Sequence, residues 1–134
     1  MKTLEILLLP WQQASQSAYP IRKQVFINEQ GVPEELELDE FDSTAIHALA
    51  YQGGQCVGTA RLVNLGNGNA QIGRMAVLVN FRGQGIDKQI LEKLLLTAQA
   101  DGLFSVILHA QLTAISFYEK LGFVAQGLTY DEAG

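Results

Sequence analysis

The chain has 134 residues, 48% hydrophobic and 17% charged, which predicts one globular domain with an apolar core and excludes a disordered chain. Its net charge of −5 disfavours nucleic acid as the main partner. No apolar run reaches the roughly 18 residues that span a bilayer, and a single cysteine, Cys56, is typical of a protein of the reducing cytoplasm.

The first part of the chain predicts a strand followed by a helix. Residues Thr3–Leu9 are mostly apolar and end at Pro10, and Glu5 within this run makes a strand a better interpretation than a signal peptide. Apolar side chains at helical spacing predict a helix over Ser17–Ile27. Pro20 then falls in its first turn, where a missing N–H costs little.

An acidic segment follows this helix. Residues Asn28–Asp42 contain Gly31 and Pro33, which predicts a loop or a short, irregular helix. Such a charge run usually forms a solvated surface, and the alternative is an acidic wall that attracts a cationic amine. The segment has no lysine or arginine, and its acids are Glu29, Glu34, Glu35, Glu37, Asp39, Glu40 and Asp42.

Turn signals divide the middle of the chain into a run of hairpins. Strands are predicted over Ile46–Gln52, Gln55–Leu65 and Ala70–Val77, separated by Gly53-Gly54 and by Gly66-Asn67-Gly68-Asn69.

Helices and strands alternate beyond the hairpins. A helix is predicted from Ile86 to a stop at Gly102. Its apolar stripe consists of Ile86, Ile90, Leu91, Leu94, Leu95 and Ala98. A strand over Ser105–His109, a helix over Ala114–Leu121 and a strand over Phe123–Thr129 complete the pattern. This order predicts a mixed sheet with helices on its faces.

The loop Arg82-Gly83-Gln84-Gly85, just before the long helix, has the composition of a phosphate site. The first turn of a helix offers several N–H donors, and its dipole favours an anion. Gly83 and Gly85 permit the backbone angles that bring those donors together, while Arg82 and Lys88 add positive charge. Two glycines before a helix also mark an ordinary tight turn, so the pattern alone leaves both interpretations open.

Two segments together resemble the signatures of the GNAT superfamily of acyl-CoA N-acyltransferases. The stretch Arg82-Gly83-Gln84-Gly85-Ile86-Asp87 is similar to the motif R/Q-x-x-G-x-G/A, and the preceding IGRMAVLVNF looks like the family's fourth strand. The second signature, a helix with a Phe-Tyr pair that ends in Leu-Gly-Phe, is similar to Ala114–Phe123. The N-terminal IRKQVFINEQGVP further resembles a subgroup of small bacterial acetyltransferases of unassigned substrate.

The resemblance implies one N-acetyltransferase domain over residues 1–134, of the α/β class with a mixed sheet. The central sheet of this GNAT-like fold would be mostly antiparallel, with helices on both faces and with the fourth and fifth strands splayed apart. Relatives in the subgroup continue into a closing strand, so we expect the domain to lack this final strand.

The resemblance also implies that acetyl-CoA, the co-substrate, lies in the wedge between the splayed strands. Its pantetheine arm would pair with the backbone of the fourth strand, where one N–H polarises the thioester carbonyl. Its pyrophosphate would be held by the N–H groups of the glycine loop. The expected cofactor-binding residues are Met75, Ala76, Val77, Arg82, Gly83, Gln84, Gly85, Ile86, Asp87, Lys88 and Gln111.

Tyr118 falls on the tyrosine that protonates the departing CoA thiolate in the family. A phenol with a pKa of about 10 stays protonated at neutral pH and can donate. The alternative for Tyr118 is core packing beside Phe117.

The attacking amine must lose a proton, and four residues are candidates for the base or for contacts with the substrate: Glu29, Glu40, His47 and His109. The ordinary interpretation is a solvated acid for each glutamate and a hydrogen-bonded structural residue for each histidine. Arg61 and Arg74 lie on predicted strands, where they could bind an anionic substrate group or pair with the acids. One cysteine and two distant histidines predict no metal site.

One departure from the motif is Asp87, which stands where the family has Gly or Ala. A carboxylate near a pyrophosphate repels it, which would weaken CoA binding. An acid is nevertheless favoured in the first turn of a helix, and its carboxylate can point to solvent.

Three functions are therefore open. The first is transfer of acetyl from acetyl-CoA to a primary amine on a small molecule, by direct attack in a ternary complex. The second is acetylation of a protein lysine or N-terminal amine, and the third is a module that binds CoA without catalysis. We expect a cytoplasmic protein, with no nucleic-acid or membrane partner, and homodimers are common in the family.

Overall fold

Five strands form one sheet in the order β1-β2-β3-β4-β5 in the computed structural model of the chain. It describes residues 4–32, 41–103 and 105–108. The strands are β1 (Leu4–Pro10), β2 (Ile46–Gln52), β3 (Gln55–Gly66), β4 (Asn69–Val77) and β5 (Ser105–Leu108). The helical elements are α1 (Trp11–Arg22), a π-helical segment (Lys23–Glu29), a 3-10 turn (Val79–Phe81) and α2 (Ile86–Ala100).

The sheet is mixed, as the sequence predicts. Strands β1 to β4 pair antiparallel with their neighbours, and β5 pairs parallel with β4. The described β4–β5 pairing runs only from Asn69–Ser105 to Ile72–Leu108. The rest of β4, Gly73–Val77, pairs with β3 and has no β5 partner among the described residues.

Helices cover both faces of the sheet because its side chains alternate between two cores. On β2, Ala48 and Ala50 belong to the core under α2, whereas Leu49 packs with Ala14 and Ala18 of α1. The apolar stripe predicted for α2 is confirmed, with Leu95 half-buried and the other members buried. The larger core, between α2 and the sheet, contains Ala48, Ala50, Val57, Ala60, Leu62, Ala70, Ile72, Val77, Ile86, Ile90, Leu91, Leu94 and Ala98.

The start of α1 differs from the prediction. The helix begins at Trp11, directly after β1, and Pro20 lies inside it instead of in its first turn. Its early core contacts are the fully buried Ala14 and Ala18, and alanine spaced by glutamines and serines gives too weak an apolar signal to mark a helix face. Pro20 lacks the N–H that would bond one turn back, and the helix widens to π spacing soon afterwards.

The hairpins and the end of α2 follow the sequence signals. Gly53 and Gly54 both have positive φ, at 60° and 81°, as a two-residue hairpin turn requires. Gly102 has a φ of 77°, and the following Leu103 N–H donates to the Ala98 carbonyl at 2.9 Å. This bond closes the helix in the way a glycine after a helix permits.

The predicted helix Ala114–Leu121 and the predicted strand Phe123–Thr129 lie outside the described residues. Among the helices that are described, none has both the length and the apolar character needed to cross a membrane.

Candidate functional site

The candidate site begins at a bulge in the second half of β4, where the strand pairs with β3. Arg61 of β3 is opposite Gly73, and Thr59 is opposite Ala76, so Arg74 and Met75 together face the single residue Ala60. Arg74 has a φ of 51°, in the left-handed region that residues other than glycine rarely adopt. A bulge of this kind bends a strand and increases its twist. The second half of β4 is therefore turned relative to the first.

Backbone hydrogen bonds orient the last peptide groups of β4. The Leu78 N–H donates to the Val57 carbonyl at 2.9 Å. Facing residues of an antiparallel pair alternate between hydrogen-bonded and non-bonded positions. Ala76, opposite Thr59, thus turns its backbone groups toward β3, whereas Val77, opposite Gly58, turns its groups away from β3. Of these two predicted cofactor residues, Val77 presents its N–H and carbonyl at the outer edge of β4.

The glycine loop leads from this edge into α2. Gly83 and Gly85 have φ values of 78° and 79°, and a Cβ added at either would meet nothing within 4 Å. Glycine is favoured here by backbone conformation and not by crowding. Helix α2 begins at Ile86, so the residues from Gly83 to Lys88 surround its N-terminus as the sequence predicts.

The carboxylate of Asp87 lies against the helix N-terminus. Its Oδ1 accepts the backbone N–H of Lys88 at 2.9 Å. This contact uses one of the N–H donors predicted for the pyrophosphate. It also places a negative charge at the positive end of the helix dipole, which stabilises the free helix. Asp87 therefore folds back onto the first turn of its own helix, in a solvent-exposed contact.

The side chain of Arg82 is held by two parts of the protein. Its Nε donates to the Val77 carbonyl at 2.8 Å, and its Nη2 donates to Glu29 Oε1 at 2.9 Å. The Glu29 and Arg82 side chains are 30% and 43% exposed, so the ion pair is partly solvated. The fold thus brings Glu29, a predicted substrate-side residue, to the cofactor loop across 53 residues of sequence.

A buried ionic cluster lies on the α1 face of the sheet. Asp42 accepts hydrogen bonds from Arg22 Nη1 at 2.8 Å, from Arg22 Nη2 at 3.2 Å and from Arg61 Nη1 at 2.9 Å. Asp42 is therefore buried and does not belong to a solvated surface, contrary to the usual expectation for an acidic run. Of the two roles predicted for Arg61, the structure shows pairing with one of the acids. An arginine that alternates with Thr59 and Val63 on a strand face already implied a buried acid as partner.

His47 belongs to this cluster. The ring is 1% exposed, lies 4.8 Å from the Trp11 ring, and has Nε2 2.9 Å from the Asp42 carbonyl. A carbonyl only accepts, so Nε2 carries the proton. Burial lowers the pKa of His47 below its usual 6.5, more than the Asp42 carbonyl and carboxylate raise it. These contacts favour the structural interpretation of His47 over a role on the substrate.

Cys56 is half-buried, and its Sγ lies 3.7 Å from the Gly58 carbonyl. Burial raises the pKa of the thiol, which keeps it protonated and poorly nucleophilic. Within the described ranges, no group of three or more His, Cys, Asp or Glu side chains is arranged to hold a metal ion. Four predicted site residues lie outside these ranges: Glu40, His109, Gln111 and Tyr118.

Comparisons with known proteins agree with this fold. The sequence model of the acetyltransferase (GNAT) domain matches residues 12–134. Two Bacillus subtilis proteins are similar in sequence. YjcF, an uncharacterized N-acetyltransferase, is 35% identical over 79% of this chain and 75% of its own length. YyaT is 38% identical over 87% of this chain and 80% of its own length.

Solved structures are similar over almost the whole chain. An acyl-CoA N-acyltransferase from Pseudomonas aeruginosa has a TM-score of 0.87 at 28% identity, covering 98% of this chain and 95% of the other. Escherichia coli ElaA has a TM-score of 0.86 at 26% identity, and the match covers 97% of this chain and 93% of ElaA.

Proposed function

The chain belongs to the GNAT family of acetyltransferases and is an acyl-CoA N-acyltransferase, and on that premise we propose that it moves an acetyl group from acetyl-CoA to a primary amine. The observation that carries the proposal is the continuity of three features. The outer edge of β4 at Val77, the glycine loop and the N-terminus of α2 follow one another along one stretch of chain.

These features suit the two ends of the cofactor. An extended pantetheine arm can add to the outer edge of β4 as a strand does, through main-chain hydrogen bonds. The diphosphate needs N–H donors directed at one point, and the turn from Gly83 to Lys88 supplies them at a helix N-terminus. We assign the pantetheine arm to the segment Met75, Ala76 and Val77, of which Val77 turns its backbone groups outward, and the diphosphate to residues 83–88.

The reaction proceeds by direct attack in a ternary complex. The amine nitrogen attacks the thioester carbonyl carbon, the oxyanion accepts a backbone N–H of β4, and the carbon–sulfur bond then breaks. Tyr118 donates its proton to the departing thiolate, and the amine proton leaves to a base or to water. The half-buried, protonated Cys56 supports direct attack, because a covalent acyl-cysteine route needs a thiolate.

A small amine is the acceptor that we favour. The net charge of −5 attracts a cation, and Glu29 is placed next to the cofactor loop. No described feature favours a protein substrate over a small molecule. A lysine-rich peptide is therefore included in the test only as a comparison substrate.

The test combines binding and turnover. Calorimetry should show that acetyl-CoA binds, and a thiol-release assay over a panel of small primary amines and one lysine-rich peptide should show turnover with small amines. Turnover with the peptide alone would move the function to protein acetylation. Binding with no thiol release for any amine would indicate a CoA module, and no binding of acetyl-CoA would contradict the proposal itself.

A further inference from the structure

The peptide group between Val77 and Leu78 is held at both ends. Its N–H, on Leu78, donates to the Val57 carbonyl of β3 at 2.9 Å. Its carbonyl, on Val77, accepts from Arg82 Nε at 2.8 Å. This peptide closes β4 at the point where the chain leaves the sheet for the 3-10 turn.

Glu29 fixes the guanidinium that makes the second contact. The Nε and Nη2 groups of Arg82 point from one edge of a rigid plane, and they bind two acceptors, the Val77 carbonyl and Glu29 Oε1. Glu29 ends the π-helical segment, and the bond therefore joins the α1 side of the molecule to the cofactor loop. With both acceptors engaged, the guanidinium can neither rotate nor leave Val77 without breaking a charge-assisted bond.

We propose that Glu29 and Arg82 are positioning residues, a clamp that sets the orientation of the Val77–Leu78 peptide and so fixes the outer edge of β4 for the pantetheine arm. The inference rests on the proposed function, because it assigns the clamp to the site where acetyl-CoA would bind. It differs from the expectation that Arg82 is a direct ligand of the diphosphate. The edge of its guanidinium that carries Nε serves the protein backbone instead.

The first test needs no ligand. Hydrogen exchange of the Leu78 amide is measured by NMR in the wild type, Arg82→Lys, Arg82→Gln and Glu29→Gln. Neither lysine nor glutamine has a guanidinium that can bind two acceptors at once, although lysine keeps the positive charge. Both Arg82 variants should therefore speed exchange of the Leu78 amide about threefold to tenfold, the effect expected from the loss of one net hydrogen bond. Glu29→Gln should speed it by at most about fivefold, as expected for a partly exposed ion pair.

Glu5→Gln is the matched control for removing a carboxylate, since Glu5 is exposed on the far edge strand β1. Its Leu78 exchange should equal that of the wild type. Unchanged Leu78 exchange in both Arg82 variants would overturn the clamp. Thermal melts of all variants show whether a faster rate reflects this one peptide or a general loss of stability.

The second test separates positioning from direct contact. Affinities are measured for CoA and for adenosine 3′-phosphate 5′-diphosphate, which has the diphosphate but no pantetheine arm. Arg82→Lys should weaken CoA about fivefold, the scale of one net hydrogen bond, and leave the fragment unchanged. Glu29→Gln should weaken CoA less, and it should add nothing in the Arg82→Lys background, because it acts through Arg82.

The outcomes are distinct. Equal loss for CoA and for the fragment would make Arg82 a diphosphate ligand and overturn the inference, as would tighter CoA binding in Glu29→Gln. If the wild type binds neither molecule, the proposed function fails, and the exchange measurement still decides whether the clamp exists.

Discussion

Arg22 and Asp42 form a two-pronged ion pair in the interior, with distances of 2.8 Å and 3.2 Å and side-chain exposures of 1% and 4%. The pair joins the last residue of α1 to the segment that precedes β2. Because Arg61 binds the same carboxylate from β3, one acid holds two cations that burial would otherwise make costly.

Replacing this acid should destabilise the fold strongly. We expect Asp42→Asn to lower the free energy of unfolding by about 3–5 kcal/mol, because two buried guanidinium groups lose their counter-charge. Urea denaturation measures the change, with the exposed Asp101→Asn as control. A loss in Asp42→Asn no larger than in the control would show that the cluster is not a stabilising unit.

His47 should make the fold less stable in mild acid. Its pKa is lowered in the folded protein, so the unfolded chain binds the proton more readily once the pH falls below 6.5. Stability should then be highest above that pH and decrease as the pH falls toward the folded pKa. Denaturation midpoints at pH 7.5 and 5.5 measure this, and His47→Gln should reduce the difference. An equal difference in both proteins would assign it to other groups.

A methyl group at Gly58 should be poorly tolerated. Its Cβ would lie 3.1 Å from Ile90 Cδ1 and 3.3 Å from the Ala76 carbonyl, so we expect Gly58→Ala to cost about 1–3 kcal/mol. Ile90→Val removes the nearer atom, and the double variant should be more stable than the sum of the single effects by about 0.5 kcal/mol or more. Gly73→Ala, with nothing within 4 Å, is the control. Full additivity would mean that Ile90 is not the obstacle.

The charge of Asp87 should oppose the diphosphate. Asp87→Asn keeps the shape of the side chain and removes its charge. We expect CoA to bind about fivefold more tightly at low salt, which corresponds to the usual free-energy effect of one charge at a helix terminus. The gain should shrink as salt screens the charge. Calorimetry at two ionic strengths measures it, with Asp101→Asn at the other end of α2 as control. Unchanged affinity would place the bound diphosphate away from this carboxylate.

Tyr118 should act in turnover and not in cofactor binding. Tyr118→Phe removes the proton donor, and kcat should decrease about 100-fold or more, the usual scale of general acid catalysis. The affinity for acetyl-CoA should change little, because the phenol contacts the sulfur only as it departs. Steady-state kinetics and calorimetry separate the two quantities, and normal turnover with weakened binding would remove Tyr118 as the acid.

Local patterns in the sequence predict much of this fold. Glycine pairs place the hairpin turns, and the 3.6-residue stripe places α2 almost to the residue. These features depend on neighbours in the chain, so the sequence displays them directly. The early part of α1 is the exception, since Ala14 and Ala18 form its buried face without a strong apolar signal.

Side-chain partners in the site are harder to predict, because they come from distant parts of the chain. The motif places Arg82 at the loop, yet its partner Glu29 lies 53 residues away and appears in the sequence only as one acid of a run. Asp42 belongs to the same run, and its burial depends on arginines from two other elements. A charge pattern shows which residues are acidic but not which of them the fold takes into its interior.

The bulge at Arg74 and Met75 also has a thermodynamic consequence. The bend in the second half of β4 is set by its register against β3, so a ligand arm that adds to this edge finds the strand already turned. Little of its binding energy is then consumed in bending the strand, and a preorganised edge of this kind favours affinity by reducing the cost of rearrangement. Because register depends little on individual side chains, the residues around the acceptor can vary without changing the bend.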